Sequence, residues 1–196
     1  MCYYEFMKIN SAVFMRGVKG DDEMLDDGVP QVAFIGRSNA GKSSVINTLV
    51  NMKDLAHSSS MPGRTRELNI FKINNAVYFV DLPGYGYARA NAELFKQIND
   101  LVYWYLFDSA HNPKVVLIID AEVGLTKSDL GMLEALEEKG REIVVVANKT
   151  DKIKKSQFHN QLKKLAEQFP GHKFIPFSSV SKIGVGELQS ELLNNK

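Results

Sequence analysis

A chain of 196 residues with 24 Lys and Arg against 23 Asp and Glu carries a formal charge of +1, so its overall charge gives no general attraction to nucleic acid, DNA included. At 44% hydrophobic and 24% charged it has the balance of one globular domain, not of a disordered chain. No apolar run nears the ~18 residues that span a bilayer, and a lone cysteine, Cys2, excludes an internal disulfide and a Cys-based metal site.

The first ten residues show no basic stretch ahead of an apolar core, so no secretory signal is expected and the setting expected is the reducing cytoplasm, with no membrane. Residues 1–30 read as a first strand and an acidic loop, five of the seven residues in 21–27 being acidic, and the loop reads as a solvated connection into the main fold. Beyond it, apolar strand-like runs alternate with amphipathic helical stretches. A strand over 31–35 precedes a helix over 41–52. Runs 67–73 and 76–80 flank Asn74-Asn75, a pair suited to a tight hairpin turn with positive φ. Leu94, Phe95, Ile98, Leu101, Val102, Tyr105 and Leu106 share one helical face. A strand at 114–119 leads to a helix at 126–139, opened by a Thr126-x-x-Asp129 capping pattern. A strand at 142–147, a helix at 156–169, a strand at 173–177 and a last helix at 187–193 complete the series. This alternation predicts an α/β fold with a mostly parallel sheet and helices on both faces, the hairpin adding one antiparallel edge strand. In such sheets ligands bind beyond the carboxyl ends of the strands.

The strand at 31–35 runs straight into Gly36-Arg37-Ser38-Asn39-Ala40-Gly41-Lys42-Ser43, a full match to G-x-x-x-x-G-K-[ST] between strand and helix, with Ser44 following. The glycines permit bends that turn backbone N–H groups inward and make an anion nest at a helix N-terminus. Lys42 adds a point charge for the β- and γ-phosphates, and the Ser43 hydroxyl suits Mg²⁺, a hard ion that prefers oxygen. This loop alone says only nucleotide, since ATPases and kinases share it. Asp81-Leu82-Pro83-Gly84 follows the strand at 76–80, where an Asp can hold Mg²⁺ through water and the Gly84 N–H can meet a γ-phosphate. Between them, Pro62-Gly63-Arg64-Thr65-Arg66 offers a loop Thr able to close over that phosphate as a second hydroxyl ligand.

The tetrapeptide Asn148-Lys149-Thr150-Asp151 follows the strand at 142–147. A carboxylate accepts two hydrogen bonds, and guanine offers N1–H and its exocyclic amino group side by side. Adenine lacks that donor pair and would leave the carboxylate unpaired, which is how a polar site rejects the wrong base. Lys149 can lie over the flat face of the base while Asn148 braces the neighbouring loops. Ser178-Ser179-Val180 follows the last strand, where a backbone N–H can meet the guanine O6.

Four ordered motifs at strand ends resemble the translation-factor-like P-loop GTPases. GRSNAGKSS at 36–44, PGRT at 62–65, DLPGYGYA at 81–88 and FSS at 177–179 resemble, more closely, the EngB/YsxC family of bacterial ribosome-biogenesis GTP-binding proteins. The resemblance implies a three-layer P-loop GTPase fold, one GTPase domain over 1–196, and a compact monomer that binds GTP and GDP with Mg²⁺. It implies slow hydrolysis, assistance to assembly of the large ribosomal subunit through its rRNA, and a need for the protein in normal cell division. By the same resemblance Lys42, Thr65 and Asn39 serve the hydrolysis and Ser43, Thr65 and Asp81 the metal. Asn148 departs from the Thr that family versions often carry, and guanine specificity survives, because Asn is usual in other GTPases. Tyr85 stands where Ras-like enzymes place a water-orienting Gln. Asn39 matches the loop Asn of GTPases that recruit K⁺ in place of an arginine finger, and reads equally as an amide bracing the loop.

For RNA, residues 149–164 carry six Lys against Asp151, which also suits the solvated face of a helix. Tyr103, Trp104 and Tyr105 are consecutive on a helix and point in different directions, which favours packing over base stacking. Arg64, Arg66 and Arg89 lie on the loops that a nucleotide would control, where contact with rRNA phosphates would make sense. The alternative is a GTP-controlled module that binds a protein partner in division without touching the ribosome. A P-loop kinase or ATPase is disfavoured by Asn148 to Asp151.

Overall fold

The computed structural model describes residues 8–56, 67–86 and 92–193. Seven strands form one sheet: β1 (Ala12–Val18), β2 (Gln31–Gly36), β3 (Leu68–Ile73), β4 (Val77–Asp81), β5 (Lys114–Asp120), β6 (Ile143–Asn148) and β7 (Lys173–Pro176). Their spatial order is β1-β3-β4-β2-β5-β6-β7. β4, β2, β5, β6 and β7 pair in parallel, whereas β3 is antiparallel to both β4 and β1. The mostly parallel sheet with one reversed strand is therefore as the alternation predicted. The reversed strand is not at the edge, however, because β1 pairs along its outer side. Strand β1 is largely exposed and breaks register between Phe14 and Arg16, and little in its pattern announces a partner.

Helices α1 (Lys42–Leu49) and α5 (Val185–Leu193) cover one face, and α2 (Ala92–Tyr103), α3 (Lys127–Glu138) and α4 (Phe158–Ala166) cover the other. The period-2 alternation of side chains divides each central strand between two cores. Ala33, Ile35, Leu117 and Val145 pack with Leu101, Leu133, Leu136 and Leu165, while Phe34, Val116, Ile118 and Val146 pack with Val45, Ile46, Leu188 and Leu192. Burial on both faces is why β2, β5 and β6 read as continuous apolar runs. No helix of the described residues is long and apolar enough to cross a membrane.

The local signals explain most boundaries. Asn74 and Asn75 have φ of 49° and 53°, a left-handed pair closed by Ala76 N–H to Ile73 O at 2.9 Å, although the register pairs Ile73 with Val77 and so leaves three residues between β3 and β4. Thr126 and Asp129 form the reciprocal capping box at the start of α3. Helix α1 stops at Leu49, short of residue 52, because Asn51 turns left-handed at φ 53° and the Asn47 amide is taken up by the loop beyond. That amide donates to the carbonyls of Lys53 and Ala56 at 3.0 and 2.7 Å and accepts from the Ala56 N–H at 2.7 Å. Helix α2 runs on into a π-helical turn, Trp104–Asp108, which carries the predicted apolar face through Tyr105 and Leu106. Helix α4 starts at Phe158, two residues late, after a turn closed by Gln157 N–H to Lys154 O at 2.8 Å.

Candidate functional site

The loops that leave the carboxyl ends of β2, β4, β5, β6 and β7 converge at one edge of the sheet. The loop after β2 is shaped by backbone that only certain residues tolerate. Gly41 has φ 94° and opens α1, and a Cβ there would collide with the Asn148 amide nitrogen. Asn39 is left-handed at φ 68°, a conformation that Asn tolerates better than most residues. Among the described residues its side-chain amide makes no hydrogen bond, so the bracing in this loop comes from its main-chain carbonyl, which accepts from Lys149 Nζ at 2.6 Å. Ala40 N–H donates to Arg37 O at 3.0 Å and closes the bend, and Ser38 N–H donates to Tyr85 O at 2.9 Å, fastening this loop to the one after β4.

Lys42, Ser43, Asp81 and Gly84 come together where β2 and β4 end. Ser43 Oγ donates to Asp81 Oδ2 at 2.9 Å, and Lys42 Nζ reaches the Gly36 carbonyl at 3.3 Å. Leu82 N–H donates to Phe34 O at 3.0 Å, which holds Pro83 and Gly84 level with the P-loop. A Cβ on Gly84 would lie 2.8 Å from Lys42 Nζ and 2.9 Å from the Ser38 nitrogen, so this glycine sits directly against the lysine and the loop amides. Burial holds Lys42 below the usual lysine range, with Asp81 opposing, and lifts Asp81 above the usual carboxylate range, with Lys42 and Ser43 opposing. The other carboxylate oxygen, Asp81 Oδ1, is buried and has no hydrogen-bond partner among the described residues. A buried cation, a hydroxyl and a carboxylate with a spare oxygen, at the N-terminus of α1, are a set that suits a Mg²⁺-bound polyphosphate. The residues present fit that group.

The base side is built on β5 and β6. Asn148 Nδ2 donates to Ala40 O at 2.9 Å, bracing the P-loop, and its Oδ1 is buried without a partner. Lys149, left-handed at φ 66°, extends its ammonium to Asp120 Oδ2 at 2.7 Å as well as to Asn39 O. Thr150 is locked to Phe177 O through its N–H at 3.1 Å and its Oγ1 at 3.0 Å. Asp151, on a 3₁₀ turn (Thr150–Lys152), accepts from Ser178 Oγ at 2.6 Å, and that same oxygen accepts from the N–H groups of Val180 and Ser181 at 3.2 and 3.0 Å. Ser179 Oγ is buried without a partner. The carboxylate of Asp151 is thus fixed by the very loop that presents Ser178 to Val180.

Gly63, Arg64 and Thr65 lie outside the described residues, as do Arg66 and Arg89. The sequence reading missed Asp120. It ends β5 opposite Asn148 in register, accepts the N–H of Glu122 at 3.0 Å, and anchors Lys149. An acid at the carboxyl end of a buried strand, in line with Asp81 and Asn148, was the available signal. Tyr85 also has a partner that no motif announces. Its phenol donates to the buried Asp129 at 2.7 Å, the same acid that caps α3, and burial with that carboxylate nearby pushes its pKa upward. Arg37 runs its stem against Gly86, beside Ser128.

Comparison with known proteins agrees with this geometry. The family described as 50S ribosome-binding GTPase matches residues 31–149. A probable GTP-binding protein EngB of Clostridium perfringens (strain 13 / Type A) is 39% identical over 96% of this chain and 98% of its own length. Its counterpart from Caulobacter vibrioides is 41% identical over 92% of this chain and 81% of its own. The crystal structure of a probable GTP-binding protein engB superposes with a TM-score of 0.63 at 26% identity, covering 81% of this chain and 94% of that one. The nucleotide-binding fold is shared more distantly by Era in complex with MgGDPNP and 16S ribosomal RNA, with a TM-score of 0.69 at 24% identity over 86% of this chain and 58% of that one.

Proposed function

This chain belongs to the EngB family of GTP-binding proteins, and from that premise we propose a slow, GTP-controlled switch that assists assembly of the large ribosomal subunit and is needed for normal cell division. The observation that carries the switch is the convergence of Lys42, Ser43, Asp81 and Gly84 at the carboxyl ends of β2 and β4. The P-loop amides and Lys42 bind the phosphates, and Gly84 N–H is the group placed to report whether a γ-phosphate is there. Ser43 and Asp81, with Thr65 from the loop before β3, would hold Mg²⁺, which neutralises charge on the β- and γ-oxygens when bound. Asn148, Lys149, Thr150 and Asp151, with Ser178, Ser179 and Val180, select guanine, the Asp151 carboxylate accepting from N1–H and the amino group.

Slow hydrolysis is supported by what surrounds the reacting phosphate. Tyr85 is turned to Asp129 and is buried, so the position that carries a water-orienting Gln elsewhere offers no group to the water. The Arg37 stem lies along Gly86, at the loop after β4. Asn39, exposed and with a side-chain amide that makes no hydrogen bond among the described residues, is the residue that would hold K⁺ near the phosphates.

The partner reading rests on the family match, with Arg64, Arg66 and Arg89 as candidate phosphate contacts. Its test is sedimentation of cell extract with a non-hydrolysable GTP analogue or with GDP. Co-migration with large subunits in the analogue alone is the expected result. Failure to migrate with ribosomes in either state, with retention of a division protein, would favour the protein-partner alternative.

A further inference from the structure

Far from the nucleotide loops, the acidic stretch at 21–27 folds back over the π-helical turn that ends α2. Its members do different things. Leu25 is buried in the core, and its carbonyl accepts from Gln31 Nε2 at 2.6 Å. Asp22 pairs with Arg16 at 3.3 Å, and Asp27 accepts from the Tyr78 hydroxyl at 2.7 Å. Of the three acids that remain, Glu23 is exposed, and Asp21 and Asp26 gather at His111. One ligand atom from each of Asp21, Asp26 and His111 lies within 4.8 Å of the other two.

His111 makes this more than two surface carboxylates. Its side chain is only 7% exposed, packed 5.9 Å edge-on against Trp104 and 5.7 Å from Tyr105 by ring centroids. Among the described residues its ring makes no hydrogen bond, and Nδ1 stands 3.6 Å from Asp26 Oδ1, beyond ordinary hydrogen-bond length. Tetrahedral metal bonds of about 2.0–2.2 Å place neighbouring ligand atoms roughly 3.3–3.6 Å apart, so the His111–Asp26 separation is already that of two ligands on one ion. Asp21 and Asp26 are exposed, and the remaining closure falls on side chains that can move. Without a cation, the two carboxylates also repel each other across a short gap.

We infer that Asp21, Asp26 and His111 form a binding site for a divalent transition metal of the Zn²⁺ type, separate from the Mg²⁺ of the nucleotide. An imidazole nitrogen favours Zn²⁺ over Mg²⁺ or Ca²⁺, which take oxygen, and two carboxylates supply charge balance while solvent fills the fourth position. The ion ties the loop between β1 and β2 to the turn that follows α2. It therefore joins the first strand to the helix that follows the Asp81 to Gly84 loop.

Trp104 is the only tryptophan of the chain and lies against His111, so its fluorescence reads this site directly. The protein is saturated with GDP and excess Mg²⁺, in a Cys2→Ser background to remove the one thiol, and titrated with Zn²⁺ alone. A saturable change in Trp104 emission at one Zn²⁺ per chain is expected, with no response to further Mg²⁺. Asp26→Asn and Asp21→Asn, both at exposed positions, should each weaken the transition by about tenfold or more, and His111→Ala should abolish it, with GDP affinity unchanged throughout. His172→Ala, which removes an imidazole already paired with Glu137 at 2.7 Å, should leave it untouched. An unsaturable response, or an equal one in the two Asn variants, would overturn the site.

Discussion

The charged side chains on the two sides of the nucleotide site are treated in opposite ways. On the base side Lys149 is paired with Asp120 and with the Asn39 carbonyl, and Asp151 with Ser178. On the phosphate side, among the described residues, Lys42 bonds one carbonyl at 3.3 Å and Asp81 has Ser43 on one oxygen and no hydrogen bond on the other, the two charges attracting each other without a direct bond. Burial pushes both toward their neutral forms, Lys42 down and Asp81 up, and their mutual attraction only opposes that shift. The base side is therefore paired within the chain, while the phosphate side holds desolvated charge that a polyphosphate and its cation would relieve. Residues of the first kind serve the fold and the site together. Residues of the second kind serve binding at some expense to the fold.

The largest effect should follow from breaking the phosphate side. Lys42→Met is expected to weaken GTP and GDP binding by about a hundredfold or more, as fits loss of a desolvated charge contact of roughly 3 kcal/mol. The nucleotide-free double variant Lys42→Met/Asp81→Asn, with both desolvated charges gone, should unfold in urea no earlier than wild type. Earlier unfolding would mean that the two charges stabilise the fold after all.

On the base side, Asp151→Asn presents an amide N–H₂ toward guanine's donors. GTP affinity should fall by roughly tenfold to hundredfold, about 1.5–3 kcal/mol for hydrogen bonds to a charged group, and xanthosine triphosphate should bind better than it does to wild type. Competition against a fluorescent GDP measures both. Appreciable ATP binding by the wild-type chain would defeat the base assignment outright.

The phosphate side alone should respond to monovalent cations. Turnover of saturating Mg²⁺·GTP is expected to be faster in KCl than in NaCl at equal ionic strength, with the difference lost in Asn39→Gly. Glycine is the better probe than alanine because residue 39 is left-handed at φ 68°, so the change removes the amide without straining the loop. Equal rates in the two salts would leave Asn39 as a residue chosen for its backbone.

A smaller effect belongs to the anchor behind the base. Asp120→Asn replaces a charged partner of Lys149 and leaves the Asn39 carbonyl as its remaining contact. A loss of about 1 kcal/mol, near fivefold in affinity, is expected for GTP and GDP alike. A change confined to GTP would show instead that Asp120 acts on the γ-phosphate side.

How much of this could be read from the chain depends on whether a residue acts through its neighbours in sequence. The P-loop, the Asp81 to Gly84 turn, the Asn148 to Asp151 tetrapeptide and the Asn74-Asn75 hairpin carry their geometry in consecutive residues, and all lie at the strand ends expected of them. Asp120 escaped because its partner, Lys149, is 29 residues away just past the end of β6, and one acid at the end of a strand has no spacing to betray it. The position of β1 outside β3 escaped for a related reason: an exposed strand with a register break has no alternating face to assign. The end of α1 was misjudged because helix propensity continues past Leu49, while the Asn47 amide, bonded to Lys53 and Ala56, turns the chain away.

The smallest expected effect on activity is at Tyr85, where stability and chemistry should separate. Its hydroxyl donates to Asp129 Oδ1, while Oδ2 of the same acid accepts from Thr126 N–H at 3.0 Å and from Thr126 Oγ1 at 2.6 Å. Tyr85→Phe removes one buried hydrogen bond without emptying the space filled by the ring. Asp129 keeps its capping contacts on Oδ2, while the buried Oδ1 loses the phenol, the partner it has among the described residues, so the cost in stability should be about 1–3 kcal/mol. That is read as an earlier urea midpoint with an unchanged denaturant slope. Hydrolysis should not change, because the phenol is held against α3 and takes no part in placing the attacking water. A fall in turnover at unchanged GTP affinity would instead make Tyr85 part of the reacting side, and the slow intrinsic rate would then need a different cause.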